Sequence, residues 1–331
     1  MKKILALILL SGGLDSALAA KLVLDQGIAL IGVQFTSPFC LCNQGGKCHA
    51  ASIAVNLGIP YQMVPKGEAY LKIVRKPKFG YGSGMNPCID CRIFILKKAA
   101  KIAKKVGAKF IVTGEVLGQR PMSQYLHALK IIDRETGLGG KILRPLSAKL
   151  LSETEPEKRG WVDRQKLLAI EGRSRKPQLA LAGKLSINDY ACAAGGCLLT
   201  MEQFAKKLKD LFQRKVKITL TDIGLLKLGR HFQYHQNRII VGRDRGENEA
   251  LLELKPKEDY LFEVPIGGSP ITILQGPKTK TAIRLAARLT ARYSDSKTKR
   301  VTVKYGKIKP VKEITVFPAP QDLSDRLNLS L

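Results

Sequence analysis

Residues 4–10 are an unbroken apolar run, Ile-Leu-Ala-Leu-Ile-Leu-Leu. The run stops at Ser11-Gly12-Gly13 and resumes as Leu14 to Ala20, with only Asp15 and Ser16 polar. A continuous apolar run bounded by glycines predicts a strand buried on both faces, a tight loop and then a helix. Ile28 to Phe35 repeats the run as a second buried strand; Ala50 to Leu57 reads as a helix and Tyr61 to Val64 as a short strand. Arg92 to Ala100 is helical, and Phe110 to Glu115 and Lys141 to Leu146 read as two further strands. Strands alternating with helices predict an α/β fold with a doubly wound parallel sheet, whose ligands sit beyond the carboxyl ends of the strands.

From about Leu225 the pattern changes. Arg238 to Gly242 reads as a strand, followed by a polar turn and an amphipathic stretch to Leu254. Asp259 to Pro265 and Gly267 to Leu274 read as two more strands. Thr281 to Tyr293 is helical, with Ala282, Leu285, Ala286 and Leu289 on one stripe. Strands Val301–Tyr305 and Glu313–Phe317 close a second, smaller α+β domain. The expected boundaries are 1–180 for the first domain, 181–222 for a Cys-containing connector with a helix from Met201 to Phe212, and 223–320 for the second domain.

Charge changes this picture. The 331 residues carry 56 Lys and Arg against 27 Asp and Glu, a net +29, which favours a polyanionic partner, nucleic acid or an anionic membrane. Residues 278–312 hold twelve Lys or Arg against one acid, Asp295. Arg284, Arg288 and Arg292 lie beside the apolar stripe, with Lys297 and Arg300 just beyond, as candidate contacts to RNA phosphates. With few aromatic residues among them, recognition by shape or backbone is expected rather than base stacking. The opening Met-Lys-Lys imitates a signal peptide, but the apolar run ends at Ser11 without a cleavage pattern and serves as a strand. No stretch reads as a membrane span, and a cytoplasmic location is expected. Seven cysteines, an odd number, then point to metal ligands or reactive thiols.

The glycines of Ser11-Gly12-Gly13-Leu14-Asp15-Ser16 let the backbone approach a ligand, and a helix start there favours an anion. A carboxylate beside an anion site implies a bridging cation, so Asp15 points to Mg²⁺. The Lys-Ser/Thr pair of a Walker loop is missing. Cys40, Cys42, Cys48 and His49 lie close enough in sequence to suggest zinc, or merely loop thiols. Cys88-Ile-Asp-Cys91 at a helix start fits a redox dithiol, half a zinc site or two corners of an iron–sulfur cluster. Arg144 reads equally as a structural or a phosphate-binding residue. Gly172-Arg-Ser-Arg-Lys-Pro177 is a basic loop, in either a phosphate contact or a solvated linker.

The hexapeptide Ser11–Ser16 resembles the PP-loop of the ATP pyrophosphatase superfamily, which adenylates a substrate oxygen and releases pyrophosphate. Val112-Thr-Gly-Glu-Val-Leu-Gly-Gln-Arg-Pro-Met-Ser-Gln124 and Leu143-Arg-Pro-Leu146 are similar to blocks of the tRNA 4-thiouridine synthetase family. Cys88-x-x-Cys91-Arg92 agrees with its iron–sulfur-bearing members and with related tRNA thiolases. The resemblance spans roughly residues 4–150 and implies ATP held by Ser11, Gly12, Gly13, Asp15 and Ser16; Phe35, Thr113, Gly114 and Gln119, at strand carboxyl ends, are candidates by position to lie over the nucleotide. It also implies a [4Fe-4S] cluster on Cys88 and Cys91 with Cys192 or Cys197 as a further ligand; closure by all four thiolates and a Cys sulfur carrier stay open, with zinc as the alternative metal. Asp15, Cys88, Cys91, Cys192 and Cys197 are the candidate catalytic set. The second half resembles the NFACT-R RNA-binding domain through Gly242-Arg243-Asp-Arg-Gly-Glu-Asn-Glu, Asp259-Tyr-Leu-Phe-Glu-Val, Gly268-Ser-Pro (where the family has Gly-Ser-His) and Ala-Arg-Tyr-Ser294.

Together these resemblances imply ATP-dependent thiolation of a tRNA uridine. The second domain is expected to grip tRNA in place of the THUMP module that usually precedes the PP-loop. No rhodanese extension is expected, and the expected partner is a sulfur donor such as a cysteine desulfurase or sulfide. Two rivals are a PP-loop enzyme adenylating another acceptor and an RNA- or ribosome-binding quality-control factor using ATP as a sensor. Modification of copurified RNA tests the first, and ribosome association without pyrophosphate release the second.

Overall fold

In the computed structural model, which describes residues 3–41, 48–190 and 196–329, the first apolar run becomes β1 (Leu5–Leu9), the middle strand of a parallel sheet. Its companions are β2 (Ala29–Thr36), β3 (Tyr61–Pro65), β4 (Phe110–Thr113) and the two-residue β5 (Ile142–Leu143), in the order β3-β2-β1-β4-β5. Helices α1 (Leu14–Leu24), α2 (His49–Asn56), α3 (Ala69–Arg75), α4 (Cys88–Val106) and α5 (Leu126–Thr136) alternate with them. Successive residues of β1 point to opposite faces, and both faces are covered. Ala6 and Ile8 pack with Ala17, Ala20 and Val23 of α1 and Ile53 of α2. Leu7 and Leu9 pack with Leu96 and Ala99 of α4 and Ile132 of α5. A strand apolar on both faces shows no alternation, hence the unbroken run in the sequence.

The chain lays down β1, β2 and β3 outward on one side, then crosses back for β4 and β5 on the other. The order therefore reverses between β1 and β4, and their carboxyl ends, at Ser11 and Gly114, frame a crevice. Past β5, α6 (Glu155–Lys158) and α7 (Lys176–Lys184) follow. The segment joining them is no solvated linker. Leu168 and Ile170 donate N–H bonds to Pro145 and Leu146 at 2.9 and 2.8 Å, and Gly172 donates to Leu117 at 2.8 Å. These bonds bring the 172–177 loop to the crevice.

The chain divides into two units, residues 1–200 and 201–331. In the second, α8 (Glu202–Arg214) and α9 (Leu220–Leu226) precede β6 (Arg230–Tyr234), β7 (Asn237–Val241), α10 (Arg245–Leu254), β8 (Tyr260–Glu263) and β9 (Thr272–Gln275). Then come α11 (Lys280–Arg292), β10 (Val301–Gly306), β11 (Lys312–Val316) and α12 (Gln321–Leu327). The strands form an antiparallel sheet in the order β11-β10-β8-β9-β7-β6. Ile239 and Val241 of β7 pack with Leu285 and Leu289 of α11, while Ile240 packs with Leu225 of α9 and Leu251 of α10. A parallel α/β unit and a separate antiparallel unit match the expected fold class. Among the described residues no helix is long and apolar enough to cross a membrane.

Candidate active site

The crevice between β1 and β4 opens into a cavity of about 530 Å³ within the first unit, a size that takes a nucleotide. It is lined by Ser11, Gly13, Asp15, Ser16, Phe35, Thr113, Gly114 and Gln119, and also by Cys197. Ser16 ties the loop together: its Oγ donates to the Gly13 carbonyl at 2.8 Å and accepts from the Ser11 N–H at 3.3 Å. No side chain caps α1, which leaves its positive end to an incoming anion. Gly12 stands apart from the lining. At φ +82° it turns behind the loop, where a Cβ would come within 3.2 Å of Ala50 N and His49 Cβ.

Asp15 is the electrostatically unfavourable member of the loop. Burial pushes its carboxyl up from the ordinary value, against the opposing pull of Arg175, a Gln119 hydrogen bond and Arg120. Its Oδ1 is buried without a hydrogen-bond partner among the described residues. An orphaned carboxylate oxygen beside an anion seat calls for a cation, and Mg²⁺ fits that position in both charge and donor type.

Four arginines, Arg92, Arg120, Arg173 and Arg175, also line this cavity. Burial and the neighbouring Arg92 both hold Arg120 below its ordinary value. Arg92 is steadied by Glu115 at 3.3 Å. Glu115 is fully buried and accepts from Thr113 Oγ1 at 3.2 Å and Arg144 Nε at 3.0 Å. Burial alone would raise its carboxyl, but Arg92 and Arg144 outweigh burial and hold it below the ordinary value. Arg144 is structural: it joins Glu115 to Asp133 of α5, 2.8 Å away.

Sulfur gathers near one end of the same unit. Cys88 and Cys91 occupy the first turn of α4 behind Pro87. Cys91 Sγ accepts from Lys66 Nζ at 3.1 Å. Burial and the proximity of Cys91 raise the Cys88 thiol. Cys197 is pushed up to about 12, chiefly by burial, with Cys91 and Cys40 adding to it. Cys40 pairs with Cys197 across an antiparallel bridge, flanked by Leu41 N–H to Gly196 O at 3.3 Å and Leu198 N–H to Phe39 O at 2.9 Å. That pattern makes 40 and 197 a non-hydrogen-bonded pair, in which side chains lie closest.

Cys48 and His49 turn elsewhere: Cys48 Sγ bonds Gln34 Oε1 at 3.4 Å, and His49 Nδ1 lies 3.2 Å from Asp189. The zinc grouping with Cys40 is thus not assembled. Cys42 and Cys192 lie outside the described residues. Among the described residues no three of His, Cys, Asp and Glu stand at the spacing of a single metal ion. A cubane cluster spreads its thiolates wider than one ion does, and Cys88, Cys91 and Cys197 fit it in donor type.

Residues 3–149 match the family described as thiamine biosynthesis protein (ThiI), and residues 229–326 the NFACT protein RNA binding domain. The tRNA-specific 2-thiouridylase MnmA of Synechocystis sp. is 31% identical over 258 residues, covering 74% of this chain and 67% of the relative. The chain belongs to the PP-loop tRNA thiolases. The MnmA of Acidithiobacillus ferrooxidans is 39% identical over 117 residues, 33% of each chain, so this chain spans about a third of that relative's length. Among solved structures, the U34-tRNA thiolase NcsA from Methanococcus maripaludis with its [4Fe-4S] cluster aligns at 18% identity and a TM-score of 0.37. The alignment covers 64% of this chain and 66% of that one.

Sequence reasoning singled out the loop and the strand tips that line this cavity, but not Arg92, Glu115 and Arg120, which line it too. The 172–177 loop did stand out as basic; its Arg173 and Arg175 line the cavity. In the second unit, the Gly242–Glu249 motif builds structure. Asp244 caps α10 by accepting from Glu247 N–H, and Asn248 Oδ1 accepts from Ile271 N–H at 2.9 Å. Arg243, half exposed, is bound by Glu247. Arg292 donates to Ala319 O at 2.7 Å and to Gln321, and Arg288 to Phe317 O at 3.3 Å. Arg284, Lys297 and Arg300 are exposed, Arg300 lying over the Phe317 ring.

Proposed function

We propose that this chain is an ATP-dependent tRNA thiolase. The observation that carries the reading is one cavity lined by Asp15 with its unpartnered Oδ1, four arginines and the Cys197 thiol: seats for phosphate, cation and sulfur in a single space. The Ser11–Ser16 loop and the start of α1 hold the ATP phosphates, and Asp15 holds Mg²⁺, which would neutralise charge on them. Arg120, Arg173 and Arg175 stabilise the charge that builds as pyrophosphate leaves. A uridine carbonyl oxygen attacks the α-phosphorus, pyrophosphate departs, and the base carbon is activated by a good leaving group. An anionic sulfur then attacks that carbon and AMP departs: hydrosulfide leaves its sulfur on the base with loss of a proton, while a persulfide leaves a C–S–S adduct whose S–S bond is cleaved by a further thiol supplied with the donor, which departs in a disulfide.

Cys88, Cys91 and either Cys197 or Cys192 would hold the [4Fe-4S] cluster, which when bound supplies soft Lewis-acid iron beside the sulfur. The exposed Arg284, Lys297 and Arg300, with Arg243, Arg288 and Arg292 on the same unit, are the proposed RNA contacts. The sulfur donor is a cysteine desulfurase or sulfide, and the cytoplasm is the proposed compartment.

The test is incubation with unmodified tRNA, Mg²⁺·ATP and sulfide, followed by nucleoside mass spectrometry and pyrophosphate assay. Thiouridine formed in step with pyrophosphate is expected. Pyrophosphate without thiouridine would assign an adenylating enzyme of another kind. Ribosome association with no pyrophosphate would assign a binding factor.

A further inference from the structure

Lys66 lies just past β3 and is only 6% exposed. Its backbone is fixed at both ends: its N–H donates to Thr36 O at 2.9 Å, and its carbonyl accepts from Lys98 Nζ at 3.0 Å. The ammonium stands 3.1 Å from Cys91 Sγ and 4.3 Å from the centre of the buried Tyr70 ring. Its field also reaches Cys88 and Cys197.

Among the described residues, no Asp or Glu lies within the 4.0 Å ion-pair distance of Lys66. Residues 42–47 and 191–195 contain neither Asp nor Glu. A buried ammonium without an anion is strongly unfavourable, and a ring face compensates only in part. The group nearest the ammonium is sulfur, Cys91 Sγ at 3.1 Å, so the counter-anion the site can offer is an anionic sulfur seated beside it.

We propose that Lys66 binds the sulfur anion this site transfers, hydrosulfide or the terminal sulfur of a persulfide, and holds it against Cys91. The proposal deepens the thiolase reading and rests on it for the identity of the reaction. Lys66 does not line the nucleotide cavity, so its contribution falls on the sulfur half-reaction and not on pyrophosphate release.

The first test uses the metal-free full chain and needs no turnover. Cys91 is alkylated with anionic iodoacetate and with neutral iodoacetamide, and both rates are read by peptide mass spectrometry. Both reagents need the same thiolate, so their ratio cancels any change in thiolate population and reports the field on an incoming anion. The iodoacetate/iodoacetamide ratio should fall about fivefold or more in Lys66→Met and be retained in Lys66→Arg. An unchanged ratio in Lys66→Met overturns the proposal and leaves Lys66 as packing for Tyr70. Lys66→Gln serves the same purpose if the Met variant does not fold.

The second test measures thiolation with sodium sulfide and, separately, with glutathione persulfide. A raised KM for sulfide alone in Lys66→Met assigns hydrosulfide, and for the persulfide alone assigns that donor. An unchanged KM for both overturns the proposal. If the wild-type chain makes no thiouridine, the thiolase reading fails while the alkylation ratio still decides the role of Lys66.

Discussion

The backbone of Gly114, at the end of β4, lies directly against Ser16 in the first turn of α1. A Cβ on Gly114 would stand 2.5 Å from Ser16 N and 2.6 Å from the Asp15 carbonyl oxygen. The strand tip thus buttresses the anion seat itself, and the view of Gly114 as a nucleotide contact by its strand-end position understates what the residue does.

Gly114→Ala is expected to displace the loop. Overpacking of this kind costs about 1–3 kcal/mol, seen as a lower Tm. ATP affinity, measured by calorimetry, should drop about two- to tenfold if half of that cost falls on the seat. Wild-type affinity in a destabilised variant would separate the buttress from the seat.

Asp15→Asn should stabilise the ligand-free chain while abolishing Mg²⁺-dependent pyrophosphate release. The Asp15 carboxyl is raised above its ordinary 3.8, so its favourable contribution exists below that pH and is lost as pH rises through the folded value. At neutral pH the ionised group opposes folding. Thermal melts at pH 4 and pH 7 check the sign: the gain in Tm for the variant should be larger at pH 7.

Glu115 behaves in the opposite sense. Its carboxyl is held below the ordinary 4.5, so the stability it contributes is present above that pH and lost as pH falls through the lowered folded value. Glu115→Gln should lose about 3 kcal/mol at neutral pH, as expected for breaking a buried ion pair. It should also flatten the acid limb of a stability–pH curve. An unaltered acid limb would mean that Arg92 and Arg144 find other partners.

Cys40 and Cys197 should close a disulfide when the metal-free chain is treated with diamide, since non-hydrogen-bonded cross-strand pairs bring Cα atoms to about 4.5 Å, within disulfide range. Peptide mapping should find that bridge, and Cys40→Ser should lose it.

Replacing Arg284, Lys297 and Arg300 together by Ala should weaken tRNA binding and lower the salt slope by up to about one unit per lost phosphate contact. Tm should stay unchanged, because these side chains are exposed. Arg292→Ala should instead lower Tm, since Arg292 ties α11 to Ala319 and Gln321. Equal salt slopes in wild type and the triple variant would move the RNA surface elsewhere.

How much of this was legible in the chain depends on where each signal sits. The Ile4–Leu10 run, the Gly-Gly loop and the stripe on α11 are local patterns, and local patterns survive into structure. β6 escaped because Arg230, His231 and Gln233 break its apolar character, although Phe232 is fully buried. The cavity arginines escaped for another reason. Arg92 and Arg120 come from distant segments with no shared spacing, and among 56 basic residues neither stands out, whereas Arg173 and Arg175 were readable only as part of their basic loop. Lys66 is visible only through its burial. The motif around Gly242 was readable, but most of its residues cap and anchor α10.

The pairing of residues 39–41 with 196–198 has a consequence for how each molecule comes into being. The loop at 11–16, β4 and Gln119 all leave the ribosome well before Cys197 does. Contacts that close long stretches of chain form late. During synthesis every copy therefore passes through a stage in which the anion seat can already be assembled while the thiol set is still incomplete, and emergence of the 196–198 segment is the event that ends it.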